Sequence, residues 1–251
     1  MSDRNPSPHR ATTDPLPTWV TPQRSAPTTS ELHCVVLIDV AGSASRDSHA
    51  LRRMRDDLYS LVADVVGDID VDLDRLPFDD VGDGLRLIVP TDLIRPTRVV
   101  DVFVFGLLAG LREHRRYVSP RARIRLRVCF DLGLVRAHRR SWTGYPLVRA
   151  ARLIEAEEAR KALRANPEID LVAVVSDEMF ESVVRHRFGH ISPESYQEIR
   201  VRVKEFDDRA WLLAPGSTVD AGPLPADRPA VPDPRRPSLM GQLWRHARRH
   251  P

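Results

Sequence analysis

Two acidic residues stand where the chain could make side chains converge. Asp39 is the last but one residue of the apolar run Val35-Val36-Leu37-Ile38-Asp39-Val40, which ends in Ala41-Gly42-Ser43. An unbroken Val, Ile and Leu run closed by small residues reads as a strand buried on both faces. A carboxylate at its end must leave the core and find a partner, because an unpaired charge is not tolerated inside. Asp83 lies in Gly82-Asp83-Gly84, a bend in which glycine permits positive φ and leaves room beside the chain. Two acids on neighbouring strands would offer what Mg2+ and Mn2+ take from a protein, one or two carboxylates per ion, the rest of the shell coming from water and phosphate. Taken singly, Asp39 also reads as a cap and Gly-Asp-Gly as an ordinary hairpin bend, so the pairing carries the argument.

The elements that must position them follow from periodicity. Arg46 to Val66 has apolar residues at 51, 54, 58, 61, 62, 65 and 66, the spacing of an amphipathic helix. Ile69 to Leu76 alternates apolar residues with aspartates and predicts a half-exposed strand, which Pro77 to Gly84 turns into the strand Leu85 to Val89. A second helix is expected over Val99 to Arg116, then an alternating strand over Arg123 to Phe130, with a bend at Gly133. A third helix is predicted from Leu147 to Leu163 and ends at Asn166-Pro167. Leu171 to Val175 reads as a buried strand, Ser176-Asp177-Glu178 as the cap of a short helix through Val184, and Glu198 to Val203 and Ala210 to Leu213 as closing strands. That order predicts an α/β (α+β) sandwich whose sheet begins as a ferredoxin-like strand-helix-strand-strand-helix-strand unit, with extra C-terminal strands and helix.

Composition narrows the function. Residues 1–30 and 215–251 are rich in Pro, Ser, Asp and Arg and read as disordered ends around one folded domain, 31–214. No run is long enough to cross a bilayer and no apolar leader follows the first residues, so a cytoplasmic chain is expected. Cys34 and Cys129 both sit in strand-like runs and read as buried thiols. The net charge of +3 and the alternation of core arginines with apolar residues, without interleaved aromatics, argue against a nucleic-acid partner. His186 and His190 read as loop residues, because Gly189 and Pro193 interrupt any helix around them. Leu239, Leu243 and Trp244, beside basic residues, form a short amphipathic stripe in the tail.

A third stretch, Trp142-Thr143-Gly144-Tyr145-Pro146-Leu147-Val148-Arg149-Ala150-Ala151-Arg152-Leu153, completes an ordered set with Leu37-Ile38-Asp39-Val40-Ala41-Gly42, Val81-Gly82-Asp83-Gly84 and Arg125-Leu126-Arg127-Val128-Cys129-Phe130-Asp131-Leu132-Gly133. The set, over residues 33–213, resembles the catalytic domain of class III nucleotidyl cyclases. The resemblance implies an enzyme that converts a nucleoside triphosphate to a 3′,5′-cyclic monophosphate and pyrophosphate. It implies Asp39, Asp83 and the Val40 carbonyl as ligands of two Mg2+ or Mn2+ ions, and the amides of Ala41, Gly42 and Ser43 as a phosphate cradle. Arg152 would neutralise charge building on the phosphate, and Lys204 would grip the triphosphate. The implied assembly is a head-to-tail homodimer in which the acids come from one chain and the arginine and lysine from the other.

This chain departs from the family pattern in places. Val148 stands where the family usually has a ribose-orienting asparagine, four positions before Arg152. The base-reading positions fall on Asp79 and Ser141, where adenylyl cyclases carry a lysine and an aspartate. An ionised Asp79 only accepts hydrogen bonds, which disfavours the N1 acceptor of adenine and leaves guanine, uracil and cytosine. The altered positions are similar to those of the pyrimidine cyclases of Pycsar anti-phage systems, which signal to a downstream effector; a guanylyl cyclase and an inactive cyclase-like domain are the alternatives.

Overall fold

The computed structural model describes residues 29–138 and 141–215. The tail stripe and most of the two expected disordered ends therefore lie outside the described residues. The first strand, β1 (Glu31–Val40), is followed by α1 (Ser48–Gly67), the hairpin β2 (Phe78–Val81) and β3 (Gly84–Pro90), α2 (Pro96–Tyr117) and the long β4 (Leu126–His138). A short β5 (Ser141–Thr143), the helices α3 (Tyr145–Leu153) and α4 (Glu157–Ala165), β6 (Leu171–Ser176), α5 (Asp177–Met179), β7 (Tyr196–Val203) and β8 (Phe206–Leu213) follow among the described residues.

All eight strands form one sheet in the order β2-β3-β1-β4-β6-β8-β7, with β5 pairing on β4. The first four strands thus stand as β2-β3-β1-β4, the arrangement of a split strand-helix-strand-strand-helix-strand unit, as expected. β1 is antiparallel to both its neighbours, and β4 to β6 is the parallel pair that the α3 and α4 crossover requires.

β1 is buried on both faces because its alternation feeds two cores. Cys34, Val36, Ile38 and Val40 pack with the apolar stripes of α1 and α2, while Val35 and Leu37 pack with α3 and α4. Asp39 therefore falls on the α3 and α4 side. The stripes of those two helices lie mainly over β4, β1 and β6, and Ile88 of β3 joins the same core. The carboxylate stands at the end of the strand, its side chain 18% exposed.

Four expectations need correction. Residues 69–76 form turns and a single helical turn at Leu73–Arg75, not a strand. Asp70 takes a positive φ of 58°, which an aspartate tolerates, and the Ile69 and Val71 amides both fold back on the Val66 carbonyl. The alternation there comes from wrapping the end of α1. Gly133 does not bend β4, which runs straight through it; the residue is small because Pro146 of α3 lies where a Cβ would sit, 2.5 Å from Pro146 Cγ. Arg123 and Arg125 precede β4 instead of opening it, and Arg125 spends its guanidinium on the carbonyls of Leu163, Asn166 and Ile169 at the end of α4. The third helix is two helices, broken after Ile154, where Ala156 takes an extended conformation. No glycine or proline announces that break. Ser176 caps α5 as predicted, its hydroxyl accepting from the Met179 amide at 3.1 Å.

A candidate active site at the end of the first strand

The turn that carries Asp83 is built against β1. Val81 pairs with Gly84, leaving Gly82 and Asp83 as a two-residue connection, and Gly82 takes a φ of 68°. Gly84 has a different duty: a Cβ there would stand 1.9 Å from the Ile38 carbonyl oxygen, so only glycine lets the hairpin approach β1 this closely. α1 fastens the hairpin from the other side, with Arg55 donating to the Gly82 carbonyl and Tyr59 to Asp80 at 2.6 Å. Ser43 donates its hydroxyl to Oδ2 of Asp83.

This geometry brings Asp83 to Asp39. Burial, and then the neighbouring Asp83 charge, push the Asp39 carboxyl above its ordinary range, against the opposing pull of Arg127. Arg127 is Asp39's register partner on β4, and it was absent from the expected site. Its Nε donates to Asp39 Oδ2 at 2.8 Å and its Nη2 donates to the same oxygen. The Nη1 of Arg127 is buried with no hydrogen-bond acceptor among the described residues. A pairing rule could have found this arginine, since in an antiparallel ladder Asp39 and an alternating Arg127 can fall opposite one another.

The residues fit a divalent cation. Arg127 and Ser43 each take the Oδ2 of one acid, so a first positive charge could share the Oδ1 of Asp39 and of Asp83, whereas full use of both Asp39 oxygens requires the one that Arg127 holds. Leu126, opposite Val40, gives its amide to Asp170, so the Val40 carbonyl faces away from β4 and toward the Asp83 turn. No third His, Cys, Asp or Glu joins the pair among the described residues. Two carboxylates and a carbonyl suit a hard cation that keeps oxygens from water and a phosphate.

The expected phosphate cradle is smaller than predicted. The Ala41 amide continues the ladder to Arg125 O at 2.9 Å and is spent, which leaves Gly42, at φ 75°, and Ser43. No long helix opens there: Ser43–Ser45 is a single turn, and α1 begins at Ser48 with Asp47 as its cap.

Arg152 and Lys204 come together, but far from the acids. Arg152, in the last turn of α3, reaches Glu205 at 3.7 Å, and Lys204 is the neighbouring residue of the β7 to β8 turn, at a φ of 56°. Glu155, three residues after Arg152, binds Arg160. By register the β7 to β8 turn lies four strands from β1 and beyond the opposite end of the sheet from Asp39, more than ~20 Å away by strand spacing.

The other expected residues are also placed. Asp79 pairs across the hairpin with Arg86, whose Nε donates to its Oδ1 at 3.1 Å. Ser141 is exposed and pairs with His138 at the far end of β4, so the register does not bring the two base-reading positions together. Val148 is 54% exposed on α3, beside an equally open Tyr145. Arg149 points inward and cannot replace the missing asparagine: Asp131, fully buried, accepts from its Nε at 2.8 Å and Nη2 at 2.6 Å. His186 and His190 are loop residues, as expected, and the amide and Nδ1 of His190 both meet the Asp101 carboxylate of α2.

Among solved structures, the adenylate/guanylate cyclase/hydrolase from Silicibacter pomeroyi superposes with a TM-score of 0.53 over 74% of this chain and 98% of its own, at 16% identity. The fold is that of class III cyclase catalytic domains. The guanylyl cyclase Cya2 agrees at a TM-score of 0.51 and 13% identity, covering 74% of this chain and 91% of that one. No protein-family model matches the sequence, and no curated protein does.

Proposed function

We propose that this protein is a nucleotidyl cyclase, converting a nucleoside triphosphate to a 3′,5′-cyclic monophosphate and pyrophosphate. The observation that supports it above the others is the convergence of Asp39 and Asp83, far apart in sequence, at the end of the first strand of a cyclase fold. The 3′-oxygen forms a bond to the α-phosphorus as the bond to the β-phosphate breaks, and the hydroxyl proton leaves to solvent. Asp39, Asp83 and the Val40 carbonyl would hold two Mg2+ or Mn2+ ions, whose chemistry when bound is to acidify the 3′-hydroxyl and neutralise the triphosphate. The free amides of Gly42 and Ser43 donate to phosphate oxygens, and Arg152 and Lys204 of a second chain supply positive charge to the leaving group. A homodimer is part of the reading, since one chain keeps the two halves of the site apart. The exposed Tyr145 and Val148 on the helix that carries Arg152 offer it an apolar contact surface.

The substrate base in this reading is a pyrimidine, with an anti-phage role signalled through a separate effector, on the sequence likeness of Asp79 and Val148 to the Pycsar branch. The Arg86 guanidinium on Asp79 adds donors beside that carboxylate, so Asp79 alone does not exclude adenine, and guanine, which Asp79 already suits, makes guanylyl cyclase the next choice. An inactive cyclase-like domain is a second reading that Val148 favours. Incubation with each of the four triphosphates and Mn2+, read by mass spectrometry, decides among them: cyclic CMP or cyclic UMP is expected. Asp39→Ala and Asp83→Ala should each lower the yield ~100-fold or more while retaining the wild-type circular dichroism. No cyclic product from any of the four would leave the inactive domain standing.

A further inference from the structure

We infer that Arg127 is a resident cation of the acidic pair, a guanidinium that occupies Asp39 when no divalent ion does and that competes with the ion for it. The inference rests on the metal reading of Asp39 and Asp83 above. Four observations carry it. Arg127 and Asp39 are register partners on adjacent central strands, so folding itself delivers the guanidinium to the carboxylate. Both of its hydrogen bonds go to a single oxygen, Oδ2, and Asp39 is its only partner among the described residues. Its Nη1 is buried without an acceptor, so the pair is an incompletely satisfied ion pair, unlike Arg125 two residues earlier, which is anchored on three carbonyls. Arg160 of α4 lies close enough to feel both Asp39 and Arg127, adding a second positive charge to the same neighbourhood.

Competition follows from the charges. Two carboxylates facing one another invite a divalent ion, but a guanidinium already in contact with one of them removes part of the attraction and repels the incoming charge at short range. With no second acceptor among the described residues, Arg127 has nothing to retire to when an ion takes the Oδ2 of Asp39. The ion therefore binds against the cost of stranding a buried cation, and the site stays closed at low metal concentration.

The test is Mn2+ binding to the full chain without nucleotide, measured by electron paramagnetic resonance of the free ion. Arg127→Gln removes the cation and should tighten Mn2+ binding ~10-fold or more, whereas Arg127→Lys, which keeps the charge, should stay near the wild-type affinity. Equal or weaker binding by Arg127→Gln overturns the inference alone. Absence of binding by wild type and both variants overturns the metal reading and the inference with it. Wild-type protein gives an independent measurement should Arg127→Gln not fold. Titration with Mg2+ should shift the Arg127 Nε–H resonance and speed its exchange with water as the hydrogen bond to Asp39 is lost; an unchanged resonance at saturating Mg2+ overturns the inference.

Discussion

Cys34 and Cys129 lie on neighbouring strands yet face opposite cores, Cys34 toward α1 and α2 and Cys129 toward α3 and α4. Both are free and buried, as the sequence predicts. Burial, reinforced by the Asp131 charge, pushes the Cys34 thiol up to about 12 from an ordinary 9.0. The sign follows from proton counting. Above the ordinary value the unfolded chain ionises this thiol while the folded chain keeps its proton, so its stabilising contribution is present at neutral pH and is lost as pH rises from 9.0 toward about 12. Urea titrations across that range should show Cys34→Ala losing stability less steeply than wild type, by up to ~1.4 kcal/mol per pH unit. An identical slope would show that Cys34 is no more buried from solvent than in the unfolded chain. Asp131 shows the same desolvation at a carboxylate: burial raises it, against the pull of the two hydrogen bonds and the charge of Arg149 and of hydrogen bonds from Ser176 and the Leu132 amide. An arginine committed in this way is unavailable to a ribose.

At the scale of elements, the contact between the β2 to β3 hairpin and β1 decides whether Asp83 meets Asp39, and it turns on a missing side chain. Gly84→Ala would drive a Cβ into the Ile38 carbonyl, so the hairpin must part from β1; a loss of ~2–4 kcal/mol is expected from chemical denaturation, together with weakened Mn2+ binding. Gly82→Ala meets no atom within 4 Å and pays only for its φ of 68°, ~1 kcal/mol, so it serves as the control. If the two variants behave alike, close backbone approach is not what positions the turn. The same logic applies across the sheet at Gly133, where a Cβ would strike Pro146 and lift α3, the helix that carries Arg152.

For the whole molecule, the acids sit at the end of the sheet where β1 exits, and Arg152 with the Lys204 turn lies beyond the opposite end. A two-fold pairing of chains, which sets each end of one against the opposite end of the other, would complete two sites at once. Mixing Asp39→Ala with Arg152→Ala tests this. Each is inactive alone, and random exchange of subunits should restore about a quarter of wild-type activity, because half of the dimers are mixed and each mixed dimer has one intact site of two. No recovery after subunit exchange would mean that the site belongs to one chain. No helix among the described residues is long and apolar enough to cross a membrane.

The alternation of β1 on two cores, the helical spacing of α1 and α2, the capping of α5 by Ser176 and the Gly-Asp-Gly bend were all legible in the chain, because each is written in residues close together in sequence. Asp39 and Asp83 could be nominated for the same reason. What they touch could not. Arg127 reaches Asp39 through strand register, Arg86 reaches Asp79 across a hairpin, and Glu205 reaches Arg152 because the end of α3 meets the β7 to β8 turn. The failures share that cause: residues 69–76 alternate like a strand but are claimed by the end of α1, and Gly133 looked like a bend until α3 was laid against it. Local periodicity determined which elements form, since hydrophobic spacing acts within a few residues; tertiary packing alone decided which charges meet, since a carboxylate takes whichever cation the register delivers to it.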